Sequence, residues 1–232
     1  MTQTELKRKL EEIKNMGYVQ TMRKGPTGVG YTFESLLGLT ENNIAMPDIG
    51  GRIEIKATRK TSTSLITLFT FNRGVWQISL KELVENYGYI DPSGRKSIYC
   101  TVSAINPNPQ GLKLKIRKDN QSVNIVDING NLLACWSIYS LVGKFLNKLN
   151  IVLFVTANTQ IINDKEYFYF DEAYLLQEPV IENFIAALEK GILMIDIRIH
   201  LKENDKVRNH GTGIRIHEND LPLLYKTRKK LL

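Results

Sequence analysis

Apolar positions along this chain recur at two periods, and the switches between them outline an alternation of helices and strands. Leu6, Leu10 and Ile13 fall at helical spacing among Lys and Glu, which predicts a surface helix over 3–16 with Thr2 and Glu5 as its capping box. Gly28-Val29-Gly30 leads into a short helix that Gly38 would end. Strands are expected over 64–71 and 75–79, a helix over 81–87, and turns at Pro92-Ser93-Gly94 and Asn106-Pro107-Asn108-Pro109. Leu112, Leu114 and Ile116 alternate with Lys113, Lys115 and Arg117, the pattern of a half-buried strand with a basic outer face.

Trp136 to Leu149 has helical spacing, and Ile151 to Thr156 is a continuous apolar run typical of a strand buried on both faces. Phe168-Tyr169-Phe170 precedes a further strand at 173–176. A helix over 181–190 stops at Gly191, 192–201 alternates as a strand, and 221–232 reads as a basic helical tail. This mixed order predicts an α/β or mixed α+β fold with two interleaved lobes, without repeats, low-complexity tracts or flexible linkers.

One segment carries chemistry. Asp48 is followed by Gly50-Gly51 and then by Glu54-Ile55-Lys56. In a strand, residues two apart share a face, so Glu54 and Lys56 would point together while Ile53, Ile55 and Ala57 enter a core. A loop of Gly50 and Gly51 alone would set Asp48 opposite Ile53. A longer bulged loop of Gly50, Gly51 and Arg52 sets it opposite Glu54, with β-carbons about 5 Å apart, close enough for two carboxylates to share a cation. Two acids that close repel, and a hard cation such as Mg²⁺ relieves the repulsion while keeping waters for reaction. Lys56 could orient the attacking water. A solvated polar hairpin is the plainer explanation of these residues taken alone.

Charge narrows the choice. The 232 residues carry a net charge of +7 and a pI near 9.3, which favours a polyanionic partner. Cys100 and Cys135 are too few for a disulfide framework, and the three histidines lack zinc-ligand spacing with a cysteine. No apolar run reaches membrane-spanning length, so no membrane partner and a cytoplasmic location are expected.

Taken in order, several blocks resemble the monomeric MvaI/BcnI restriction endonucleases, relatives of the MutH mismatch-repair nicking enzyme within the PD-(D/E)xK fold. They are Gly28 to Gly38 with Glu34, Asp48-Ile49-Gly50, Glu54-Ile55-Lys56, the strand Leu65 to Phe69, Met194 to Arg198, and His210 to Ile216. The resemblance implies a restriction-endonuclease-like core, a mixed sheet flanked by helices, with two interleaved lobes around a DNA-binding cleft. The whole chain, 1–232, would be one nuclease, its catalytic lobe including roughly 1–100 and its recognition elements mainly roughly 190–232. Asp48 and Glu54 then resemble the metal-binding acids, Lys56 the catalytic lysine and Glu34 the helix-borne acid completing the site. A solvent-facing helix residue is the other reading of Glu34. The implied activity is Mg²⁺-dependent cleavage of double-stranded DNA, with Mn²⁺ a substitute and Ca²⁺ supporting binding without cleavage. The expected enzyme is a monomer, with a DNA methyltransferase as its genetic partner.

Asp196, Arg198 and His200 alternate with Ile195, Ile197 and Ile199, so three polar groups would line one strand face. Arginine can donate twice to guanine and an acid can accept from cytosine, which gives this face the chemistry to read a C·G pair. His210-Gly211-Thr212-Gly213 is expected as a glycine-rich loop that, with Arg215, approaches DNA; the alternative is a tight turn between strands. Asp196-Ile197-Arg198 and the His210-Gly211 segment resemble the MvaI branch, which reads CC(A/T)GG, more than the BcnI branch, which reads CC(C/G)GG. Asp196, Arg198, His210 and Arg215 are therefore the expected base-reading residues. A repair nicking endonuclease would share the active site, whereas a non-catalytic DNA-binding protein would leave three acids and a lysine without a purpose.

Overall fold

The computed structural model describes residues 2–39, 46–61, 63–71 and 75–232. In chain order the elements are α1 (Gln3–Asn15), β1 (Val19–Gln20), α2 (Gly28–Leu36), β2 (Ile53–Arg59), β3 (Leu65–Phe71), α3 (Leu80–Tyr87), β4 (Tyr89–Ile90), β5 (Lys96–Val102), β6 (Leu112–Arg117), β7 (Ser122–Asp127), β8 (Leu132–Ser137), α4 (Ile138–Leu149), β9 (Ile151–Ile162), β10 (Lys165–Pro179), α5 (Ile181–Glu189), β11 (Leu193–Leu201), β12 (Val207–Asn209), β13 (Thr212–His217), a 3₁₀ turn (Glu218–Leu224) and β14 (Tyr225–Lys230). They assemble into two compact units, each built from separated stretches of chain: residues 1–64, 146–180 and 221–232 in one, 65–145 and 181–220 in the other. The mixed α+β class and the interleaving agree with the sequence.

The first unit is a sheet in the order β1-β10-β9-β2, with β14 on the β1 edge of β10. Only β2 and β9 run parallel, Ile53 opposite Ile151 and Glu54 opposite Val152, so β2 closes one end of the sheet. Helices α1 and α2 supply Leu6, Leu10, Ile13, Val29, Phe33 and Leu37 to a core with Ile55, Leu153, Val155 and Phe170. Thr2 and Glu5 form the expected reciprocal cap at the start of α1. Gly38 adopts φ 78° after α2, and the amides of Gly38 and Leu39 return to the carbonyls of Ser35 and Glu34. This left-handed stop ends the helix just beyond Glu34.

The second unit contains a sheet in the order β3-β13-β11-β5-β4, with β12 also on β11, and a separate three-stranded sheet β6-β7-β8. Ile195, Ile197 and Ile199 of β11 are fully buried. Strands β12 and β13 occupy the same edge of β11 at its two ends, and the amide of His210 between them still reaches the carbonyl of Arg198.

Five expectations need correction. Residues 75–79 do not form a strand: Trp76 makes a single bridge to Ala134, and Ser79 instead caps α3 with Glu82. The segment 136–149 begins as the end of β8, and the helix starts only at Ile138. Strands β7 and β8 were not expected at all. The residues of 168–176 belong to one long strand, β10, whose register shifts between Phe170 and Glu172 so that Asp171 bulges out. The tail is a 3₁₀ turn followed by β14, not a helix. A basic run tells little here, because Lys226, Arg228, Lys229 and Lys230 remain on the surface in either geometry, while pairing with β10 satisfies the backbone.

Candidate functional site

The turn between Asp48 and Glu54 has the longer geometry. Ile49 pairs with Ile53 in antiparallel sense, the Ile49 amide donates to the Ile53 carbonyl at 2.9 Å, and Gly50 and Gly51 take φ of 58° and 68°. Gly50, Gly51 and Arg52 are thus the loop, and the register carries Asp48 opposite Glu54. Asp48 also accepts the Ile55 amide at Oδ2, 2.7 Å away. That bond uses the open edge of β2 and ties the acid to the strand bearing the other two groups.

Alternation then divides β2. Ile55 is 4% exposed in the α1–α2 core, while Glu54 and Lys56 share the opposite side. Lys56 Nζ lies 2.8 Å from Glu54 Oε1. Glu54 is 3% exposed, and its Oε2 has no hydrogen-bond partner among the described residues. A buried carboxylate oxygen without a partner is costly and calls for an ion or ligand. Hard oxygen donors beside a lysine suit a divalent cation, so the donor set fits one. Among the described residues no group of three His, Cys, Asp or Glu gathers to hold a metal.

Glu34 enters from α2. It lines, together with Arg23, Gly30, Tyr31 and Lys56, a recess of about 270 Å³. Arg23 stacks over the Tyr31 ring at 3.8 Å. Gly28 makes this packing possible, since a β-carbon there would stand 2.3 Å from the Arg23 carbonyl. Sequence reasoning missed Lys148, whose Nζ is 3.5 Å from the same Glu54 oxygen. Nothing local in the chain could have placed it there, because the contact depends on the parallel pairing of β2 with β9. Tyr225, also missed, donates to the Leu149 carbonyl at 2.8 Å, and burial together with the charge of Glu54 holds its hydroxyl proton on well above the usual tyrosine range.

The second unit gathers the other expected residues. Asp196 sits between Thr101 on β5 and Gly213 on β13, accepts the Thr101 hydroxyl at 2.6 Å and pairs with Arg215 Nη1 at 2.5 Å. Arg215 also donates to the Leu65 carbonyl. Arg198 is used differently. Its Nε has no partner among the described residues, and its Nη2 lies 3.7 Å from where a β-carbon on Gly213 would be. Thr212 and Gly213 are strand residues, so the expected loop shrinks to His210 and Gly211, the latter at φ 87°.

His200 does not join Asp196 and Arg198 as an open group. It is 7% exposed, and its Nδ1 lies 2.9 Å from the Tyr99 hydroxyl. Its ring is 5.2 Å from that of His210. Burial, followed by Arg95 and His210, lowers the His200 pKa; burial, followed by Arg208 and Arg198, lowers that of His210. Both cysteines are free, and burial pushes the Cys100 thiol up to about 12.

A profile of the MvaI/BcnI restriction endonuclease family matches residues 7–225. The chain belongs to that family. Among solved structures it is similar to the restriction endonuclease MvaI in complex with its cognate DNA substrate, at 28% identity and TM-score 0.81 with both chains fully covered. It is similar also to MvaI in the absence of DNA, at 29% identity and TM-score 0.58, covering 100% of this chain and 99% of that one. No curated protein sequence matches it. The enzyme is a type II restriction endonuclease, a site-specific DNA endonuclease with a restriction-endonuclease-like fold. Restriction endonucleases generally need a divalent metal. No helix of the described residues is long and apolar enough to cross a membrane.

Proposed function

We propose that the enzyme hydrolyses both strands of duplex DNA at CC(A/T)GG, using Mg²⁺ held by Asp48 and Glu54. The observation that carries the catalytic assignment is the buried, partnerless Oε2 of Glu54, beside Lys56 and opposite Asp48. When bound, the cation supplies charge neutralisation at the phosphate and lowers the pKa of a coordinated water. Asp48 is oriented for its part by the Ile55 amide, and Glu54 by the Lys56 ammonium. Lys56, carried on the same strand face as Glu54, orients the water nucleophile. Glu34, which lines the recess with Lys56, is the third acid of this reading, although it does not gather with Asp48 and Glu54 into a cluster of three.

Asp196, Arg198, His210 and Arg215 read base edges in the major groove. The row formed by Thr101, Asp196 and Gly213 fixes the acid and leaves Arg198 with an unused donor. Double-stranded DNA as substrate is supported by the net charge of +7 and by the similarity to MvaI, whose structure was solved with its cognate DNA. CC(A/T)GG rests on the MvaI-like Asp196-Ile197-Arg198 and His210-Gly211 blocks. The reading also includes a monomeric, cytoplasmic enzyme paired genetically with a methyltransferase.

Alanine at Asp48 or at Glu54 should abolish cleavage while leaving DNA binding in Ca²⁺ close to wild type, because neither acid attracts the phosphate backbone. EDTA should stop the wild-type enzyme. Wild-type cutting rates by both variants in Mg²⁺ would show that the site lies elsewhere.

A further inference from the structure

Topology brings a second lysine to Glu54. Because Ile151 pairs with Ile53 and Val152 with Glu54, β9 begins beside the start of β2. Helix α4 ends at Leu149, immediately before β9, so its last turn arrives where Glu54 stands. The Tyr225 hydroxyl bonds the Leu149 carbonyl and pins that turn. Lys148 Nζ lies 3.5 Å from Glu54 Oε1, the oxygen that Lys56 Nζ meets at 2.8 Å. The Lys148 side chain is 28% exposed and that of Glu54 3%, so the pair is only partly screened by water.

We propose that Lys148 is a positioning residue of the active site, holding Glu54 in place and competing with the divalent cation for its charge. The inference rests on the reading of Glu54 as a metal-binding acid. Without a cation, the two negative charges of Asp48 and Glu54 are matched by the two ammonium groups. That match keeps a nearly dry carboxylate compensated and its rotamer fixed. An arriving dication takes over the compensation, and each ammonium then repels it across a few ångströms. Lys148 therefore weakens cation binding while keeping the carboxylate where the cation must find it. A lysine serving only the carbonyls at the end of α4 would affect stability but not cation affinity.

Binding of Mn²⁺ to the full-length, DNA-free protein, followed by the electron paramagnetic resonance of the free aquated ion, separates these roles. Lys148→Met should bind Mn²⁺ roughly three- to tenfold more tightly than wild type, the range of a partly exposed charge pair acting on a dication. Lys148→Arg should stay within about twofold of wild type, because the charge is retained. In Mg²⁺ at saturation the methionine variant should still cleave more slowly, since Glu54 is less well held. Lys148→Gln carries the same expectations if the methionine variant fails to fold by circular dichroism. Unchanged or weaker Mn²⁺ binding by the neutral variants, with binding lost in Glu54→Ala, would overturn the role of Lys148 and leave Glu54 as the metal acid. Mn²⁺ binding that survives intact in Glu54→Ala would instead overturn the reading of Glu54 itself.

Discussion

Replacing Arg198 and Arg215 by alanine, one at a time, separates base reading from maintenance of the fold. Arg198 has an Nε without a partner among the described residues, so little folded structure depends on its head group. Arg215 spends Nη1 on Asp196 and Nη2 on the Leu65 carbonyl. Its removal leaves a carboxylate whose side chain is 10% exposed with Thr101 as its remaining partner. Breaking a fully buried pair costs about 3–5 kcal/mol. With the Arg215 side chain 28% exposed, solvent screening brings the expected loss down to about 1–3 kcal/mol. For a chain of this size that lowers Tm by roughly 2–12 °C. Arg198→Ala should melt within about 2 °C of wild type, as substitutions outside such networks do.

Binding separates them again: a guanidinium bonded to both guanine acceptors contributes about 1–3 kcal/mol of discrimination, so Arg198→Ala should weaken binding to CC(A/T)GG by roughly 5- to 150-fold more than binding to a scrambled duplex. Fluorescence anisotropy in Ca²⁺ at one salt concentration, alongside thermal melts, measures both effects. Equal losses on the two duplexes in Arg198→Ala would refute base reading by that arginine. A wild-type Tm for Arg215→Ala would refute the structural weight given to its pair with Asp196.

Tyr225→Phe removes the donor to the Leu149 carbonyl and should cost about 1–2 kcal/mol, read as a fall in Tm of roughly 2–8 °C, because the buried carbonyl loses its partner. The lowered pKa values of His200 and His210 mean that folding favours the neutral rings. Their contribution is complete above the unfolded value of about 6.5 and is lost as pH falls through the folded values, so Tm should drop between pH 7 and 5 more in wild type than in a His200→Gln/His210→Gln double variant; parallel curves would contradict it. A monomer with one set of catalytic groups must cut the strands in separate events, so supercoiled plasmid should pass through a nicked circle. A stable dimer that cuts both strands together would exclude this.

The arrangement of Asp48, Glu54 and Lys56 was legible because its geometry is short-range. Glu54 and Lys56 share a face through strand periodicity, and the loop of Gly50, Gly51 and Arg52 sets Asp48 against Glu54 whatever else the chain does. Helix α2 was legible for a similar reason: Gly38 stops it in a left-handed residue, and its apolar face fixes the side on which Glu34 emerges. Part of what was missed was present in the sequence. Val123 and Ile125 alternate with Asn124 before an Asp127–Gly130 turn, an ordinary signature of the β7–β8 hairpin. The tail was not legible from its charges, since Lys and Arg stay in water on a helix or an edge strand alike.

The partners of the expected base-reading residues depend on register between strands far apart in the chain, which periodicity along one strand does not reveal. Periodicity put Asp196, Arg198 and His200 on one face, and base-pairing chemistry favoured Asp196 and Arg198 among them. Pairing with β5 and β13 makes them unequal. Thr101 and Arg215 hold Asp196, Tyr99 binds His200, and Arg198, beside the bare Gly213, keeps an Nε without a partner among the described residues, as Arg215 does on β13. A residue at this face recognises a base only with donors or acceptors left over after folding. The strands that neighbour β11 therefore decide which of its side chains keep hydrogen-bonding atoms unused, just as the pairing of β2 with β9 brings Lys148 to Glu54.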